Sequence, residues 1–145
     1  MIRFYNCKIL TLDGNFDITE GCELWTDGDK IAYIGKEKEG IFEREIDCKG
    51  NVIMPGFKNA HAHSPMTFLR SYAEDLPLDR WLNEAVFPME AKLENDDALW
   101  FSKLAVMEYL TSGITAAFDM YFLPHAIAEA AKETGFTSVL CGAVN

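Results

Sequence analysis

The chain opens on short, extended-looking apolar runs and takes on a helical period only later. Residues 2–12 (IRFYNCKILTL) are rich in β-branched and aromatic side chains and predict a strand. Two further runs, 23–25 and 31–34, flank Thr26-Asp27-Gly28-Asp29-Lys30. The Asp-Gly step there predicts a hairpin, because glycine takes the positive φ that tight turns demand. Residues 43–47 add a short strand before Lys49-Gly50, and residues 51–54 run apolar into Pro55-Gly56.

From Met66 onwards the pattern changes. Residues 77–82 open a helical stretch, which Pro88 is expected to interrupt. Asn95, Asp96 and Asp97 offer an N-cap and first-turn acids to the next helix, and Gly113 supplies its stop. Between these signals, ten of the thirteen positions 98–110 are apolar. A helix apolar on nearly every side has to be covered on nearly every side. Residues 114–118 predict a short buried strand, 124–134 a helix ended by Gly135, and 138–144 a third strand. Strand, helix, strand, helix, strand is the pattern of βαβ units, so the fold class is α/β with a parallel sheet. Such a sheet needs cover on both faces and leaves an edge open. The 145 residues are therefore expected to rely on more chain: a longer polypeptide, a second one, or a homo-oligomer of this one.

Composition narrows the function classes. Apolar residues make up 49% and charged residues 25%, as in globular proteins. The net charge of -10 repels phosphate backbones and anionic lipid, which argues against nucleic acid and membrane surfaces as partners. There is no run of 18 apolar residues and no signal-peptide core at the start. Cys7, Cys22, Cys48 and Cys141 are scattered without a C-x-x-C pair, which predicts free thiols in a reducing compartment, the cytoplasm.

The chemistry centres on His61 and His63. In an extended segment, residues i and i+2 point to the same side, so both imidazoles can reach one metal ion. A bare H-x-H is also compatible with two ordinary histidines, and two imidazoles are fewer than the three protein ligands of a catalytic zinc. His125, near the start of a predicted helix, reads as a partly exposed first-turn residue.

The surroundings of the pair carry a resemblance. Asn51-Val-Ile-Met-Pro-Gly-Phe-Lys-Asn-Ala-His-Ala-His63 resembles the first barrel strand of the amidohydrolase superfamily. Residues 27–35 look like the hairpin of that superfamily's small β-sandwich, and 46–50 like its lead-in. Residues 66–70, 73–78, 81–82, 87–90 and 118–122 resemble the branch of 5'-methylthioadenosine/S-adenosylhomocysteine deaminases and their chlorohydrolase relatives. The likeness runs over essentially the whole chain.

It implies a β-sandwich portion at 1–55 and, at 56–145, the first three β/α units of a TIM-type (β/α)8 barrel. It also implies that His61 and His63 bind one divalent metal, zinc or iron, and that Glu90 meets the ribose hydroxyls of a small nucleoside substrate. Trp81 matches a tryptophan of the entrance loop, whose ring serves either substrate contact or packing. Arg70 and Asp119 fall in family motifs without a definite role. The reaction implied is metal-assisted hydrolytic deamination of an adenosine derivative, 5'-methylthioadenosine or S-adenosylhomocysteine, with release of ammonia. The remaining ligands and proton-transfer residues belong to later barrel strands, in the same or another chain, so the 145 residues alone are expected to be inactive. Two alternatives stay open: the same fold acting on guanine, cytosine, a triazine or a cyclic amide, and a non-catalytic fragment.

Overall fold

The computed structural model describes residues 1–14 and 16–141, which form two compact units, Met1–Pro55 and Gly56–Asn145. In the first, β1 (Ile2–Leu10) pairs antiparallel with β2 (Ile18–Asp27), and β2 with β3 (Lys30–Gly35). The turn between β2 and β3 falls at Gly28, whose φ of 57° is the left-handed conformation expected of the Asp-Gly step. On its other side β1 takes two short parallel partners, β4 (Arg44–Asp47) and β5 (Val52–Ile53). Cys7, Ile9 and Leu24 form its small core, with Cys22 and Cys48 half-buried against it.

A charge cluster holds the sheet together across strands. The Arg3 guanidinium donates to Glu23, to Glu45 at 2.7 Å and to Glu37 at 3.2 Å. Glu23 is only 5% exposed and also accepts from the Trp25 indole N–H at 3.0 Å. Hydrogen bonding from Arg3, then from Trp25, outweighs burial and holds the Glu23 carboxyl below its usual range. A carboxyl depressed in the folded state stabilises the fold fully above its unfolded value of about 4.3, and this contribution is lost as pH falls through the folded value. The melting temperature is therefore expected to drop as the pH is lowered below about 4. In Glu23→Gln the neutral-pH melting temperature should fall and this part of the acid dependence should flatten; an unchanged acid limb would contradict the assignment.

In the second unit, β6 (Phe57–Ala62), β7 (Ile114–Asp119) and β8 (Thr137–Leu140) form a parallel sheet in that order. A Cβ on Gly56 would run into the Thr115 side chain, so the Pro-Gly step lets the start of β6 lie close to β7. After β6 comes a 3-10 stretch, Ser64–Leu69. Then follow α1 (Leu78–Arg80), a π-helical stretch Trp81–Val86, α2 (Phe87–Glu90) and the long α3 (Asn95–Thr111). α4 (Pro124–Thr134) connects β7 to β8. The core of this unit gathers Ala62, Val106, Ala117 and Phe136, with Tyr109 and Ile114 packed against it.

Three expectations are corrected. Pro88 does not interrupt its helix. The backbone stays right-handed helical from Arg80 through Phe87, and the wider i→i+5 winding precedes the proline. Such winding accommodates a residue that lacks an N–H and crowds the preceding turn. The cap of α3 is Glu94, not Asn95; the Glu94 N–H donates to the Asp97 carboxylate at 3.1 Å, so Asp97 performs the reciprocal half of a capping box. The third strand begins at Thr137 and ends at Leu140, and residues 142–145 lie outside the described ones.

α3 buries Ala98, Ser102, Ala105 and Val106, one stripe at helical spacing. Its opposite stripe is largely open among the described residues: Trp100 is 66% and Met107 63% exposed, with the Lys103 ammonium 4.2 Å over the Trp100 ring. α4 buries Ala126, Ile127, Ala130 and Ala131, and Gly135 ends it at φ 70°. Alanine at Gly135 would be forced into the left-handed region, so Gly135→Ala is expected to cost about 1 kcal/mol of stability, read from denaturant midpoints. No helix among the described residues is long and apolar enough to cross a membrane.

Candidate active site

His61 is the penultimate residue of β6, and His63 stands one residue beyond the strand. The extended backbone turns both rings to the same side, with Nε2 of His61 3.0 Å from Nε2 of His63. The ring planes are inclined at 61°, with centroids 5.0 Å apart. The Asn59 side-chain oxygen accepts the His61 N–H at 3.2 Å and steadies the end of the strand.

Nitrogens bound to one tetrahedral zinc at about 2.1 Å stand about 3.4 Å apart. The two lone pairs therefore need separate by only a few tenths of an ångström to share an ion. Both nitrogens would have to be unprotonated; a proton on either would instead make this contact an ordinary hydrogen bond. The pair thus fits part of a divalent metal's ligand set. Among the described residues no group of three or more His, Cys, Asp or Glu side chains is gathered for a metal.

Beside the histidines lies Asp119, the last residue of β7, paired in register with Ala62. It is 1% exposed; Oδ2 accepts the Ser64 N–H at 3.1 Å, while Oδ1 has no hydrogen-bond partner of good geometry among the described residues. Burial pushes its carboxyl pKa up, opposed by the hydrogen bonds of Ser64 and by the charge of His63. Leaving a buried carboxylate oxygen without a donor is costly, so Asp119 has a structural reason to stay close to a cationic or hydrogen-bonding group.

On one side of His63 opens a cavity of about 520 Å³, lined by Met66, Trp81, Val86, Glu90, Met120 and Tyr121 among others. Trp81 and Val86, the first and last residues of the π-helical stretch, both line it. The wall is mostly apolar. Its carboxylate is Glu90, at the end of α2, which accepts the Tyr121 hydroxyl at 2.7 Å. Tyr121 is 4% exposed, meets His63 edge-on at 5.9 Å and lies against Phe122 at 4.3 Å between centroids. Burial and the Glu90 carboxylate push the phenol pKa up, so Tyr121 remains a donor.

The structure thus brings three of the four sequence-marked residues, His63, Trp81 and Glu90, onto one cavity, with Nε2 of His61 3.0 Å from Nε2 of His63. His125 is exposed in the first turn of α4 and does not line the cavity. Arg70 is exposed and pairs with Glu108 of α3 at 2.7 Å, a surface contact. Tyr121 escaped the sequence reading. Its signal was present, two residues past a strand that ends beside the H-x-H strand, yet nothing in the local pattern identified Glu90 as its partner.

The 5-methylthioadenosine/S-adenosylhomocysteine deaminase 2 of Archaeoglobus fulgidus is 48% identical over 119 residues, which are 82% of this chain and 28% of that protein. Among solved structures, an adenosine deaminase from Xanthomonas campestris with bound zinc superposes with a TM-score of 0.89 at 26% identity, over 95% of this chain and 33% of its own. The atrazine chlorohydrolase TrzN of Arthrobacter aurescens, complexed with zinc, shares the fold at a TM-score of 0.87 and 23% identity, over 98% and 35% of the two chains. The chain spans about a third of the length of the relatives it matches. The amidohydrolase family model matches residues 52–144, a stretch that takes in the H-x-H strand, the cavity and all three parallel strands, and the chain belongs to that family.

Proposed function

We propose that this chain is part of a metal-dependent deaminase that converts an adenosine derivative, 5'-methylthioadenosine or S-adenosylhomocysteine, to its inosine counterpart and ammonia. One observation carries the reading: His63, Trp81 and Glu90 border a single, mostly apolar cavity. A carboxylate accepts from two neighbouring hydroxyls at once, which suits a ribose. Apolar side chains such as Met66 and Met120 suit a thioether at the 5' position better than a free hydroxyl or phosphate. Relatives named for these two substrates support the same choice.

His61 and His63 are read as two ligands of one divalent ion, with zinc preferred and iron the alternative. When bound, such an ion supplies hydroxide at neutral pH for attack at C6 of the purine. Glu90 fixes the ribose, Trp81 closes one wall, and the apolar lining excludes bulk water from the reacting end.

In this reading 1–55 belongs to a small β-sandwich and 56–145 to the first three β/α units of a (β/α)8 barrel. The further ligands and the proton-transfer groups come from other barrel strands, in the same polypeptide, another one, or a second copy. In this reading His61 and His63 supply two of the ligands, and ammonia release is expected only where the further ones are in place. A cytoplasmic location fits cysteines that are scattered along the chain without a C-x-x-C pair.

The test is ammonia release by the complete, metal-loaded protein across a substrate panel. Turnover of 5'-methylthioadenosine or S-adenosylhomocysteine, with little on guanine, cytosine or a triazine, is the expected pattern. Preference for a free base would overturn the substrate assignment, since a ribose-binding carboxylate has no use there.

A further inference from the structure

The Glu90 carboxylate is not left to swing freely. It stands at the end of the four-residue α2, a short element that does little to fix a side chain with three rotatable bonds. What fixes it is Tyr121, 31 residues away, whose hydroxyl donates to Oε1 at 2.7 Å from a position 4% exposed. The phenol ring is itself held between His63 and Phe122. Oε2 makes no hydrogen bond among the described residues, so the carboxylate is pinned by one oxygen and open at the other.

We infer that Tyr121 is a positioning residue for nucleoside recognition, orienting Glu90 so that its free lone pairs meet both hydroxyls of a vicinal diol. This rests on the proposed ribose contact of Glu90 and adds what that contact alone does not contain. A carboxylate held in one rotamer before the ligand arrives binds a diol without paying the ordering entropy at that moment. The hydrogen bond also uses one of the four acceptor sites of the carboxylate, leaving three for two ribose hydroxyls. Because Tyr121 borders His63 as well, the same ring couples the ribose end of the cavity to the histidine pair. The role is one of orientation, and its signature is selectivity for the diol, carried mainly in KM.

The experiment compares the complete, metal-loaded wild-type protein with Tyr121→Phe on an adenosine-type riboside and its 2',3'-dideoxy analogue. Wild type is expected to prefer the riboside, and Tyr121→Phe to lose about tenfold of that preference through KM, the size of one hydrogen bond to a charged group. A variant that retains the wild-type preference, with both KM values raised equally, overturns the inference and leaves the Glu90 reading standing. A wild type that does not discriminate, or turns over neither compound, overturns both. If Tyr121→Phe folds poorly, a crystal structure of the wild-type riboside complex decides instead. Tyr121 Oη should still lie on Glu90 Oε1 with both ribose hydroxyls on the carboxylate; a ribose hydroxyl in place of the phenol contradicts it.

Discussion

Replacing His61 with alanine is expected to leave the metal-loaded protein without stoichiometric metal and to lower ammonia release by more than about a hundredfold, the upper range for losing a mere outer-shell partner of a metal site. The reason is geometric. Two imidazole nitrogens already stand 3.0 Å apart at the end of one strand, and removing one leaves a single protein ligand from this segment. His61 is exposed and takes no part in the core clusters, so the substitution should not unfold the chain. A bound ion stabilises the folded state by mass action. Wild type should therefore melt higher with metal than with chelator, while His61→Ala should melt at the chelated wild-type temperature in both conditions. Metal content is read by elemental analysis of the two proteins side by side. Equal content in both would remove His61 from the ligand set.

The second large effect concerns Glu90. Glu90→Gln keeps the shape of the side chain but removes its charge and replaces one acceptor oxygen with a donor. A hydrogen bond to a charged group contributes about 1.5–3 kcal/mol, so kcat/KM for a riboside is expected to fall by about ten- to a hundredfold, mostly in KM. The substitution also disturbs the bond from Tyr121, which ties the carboxylate across 31 residues of chain. Neither the metal content nor the melting temperature should follow it, because Glu90 is not among the buried residues and no hydrogen bond joins it to the histidine pair among the described residues. A Glu90→Gln protein with unaltered KM would place the ribose elsewhere.

Much of this was visible along the chain because it depends on local order. The i, i+2 spacing of His61 and His63 puts two imidazoles on one side of any extended backbone, and the structure finds them so. Gly28, Gly113 and Gly135 end their elements with positive φ, as glycine's freedom predicts. What escaped is tertiary. The bond between Tyr121 and Glu90, the cluster around Arg3 and the burial of Asp119 each join residues from distant parts of the chain, and no local period encodes them. Pro88 misled for a different reason: proline's cost is defined for α-helical bonding, and the π-helical winding before it avoids that conflict. The exposed Trp100 and Met107 on α3 show the reverse case: the apolar pattern predicts cover on every side, and among the described residues this stripe stays largely open.

The decisive measurement is product analysis by mass spectrometry after incubating the complete, metal-loaded protein with 5'-methylthioadenosine in oxygen-18 water. Hydrolytic deamination predicts one inosine-type product that carries a single labelled oxygen at C6, with ammonia released in equal amount. Unchanged nucleoside, cleavage of the glycosidic bond, or a product without labelled oxygen would contradict deamination at this site.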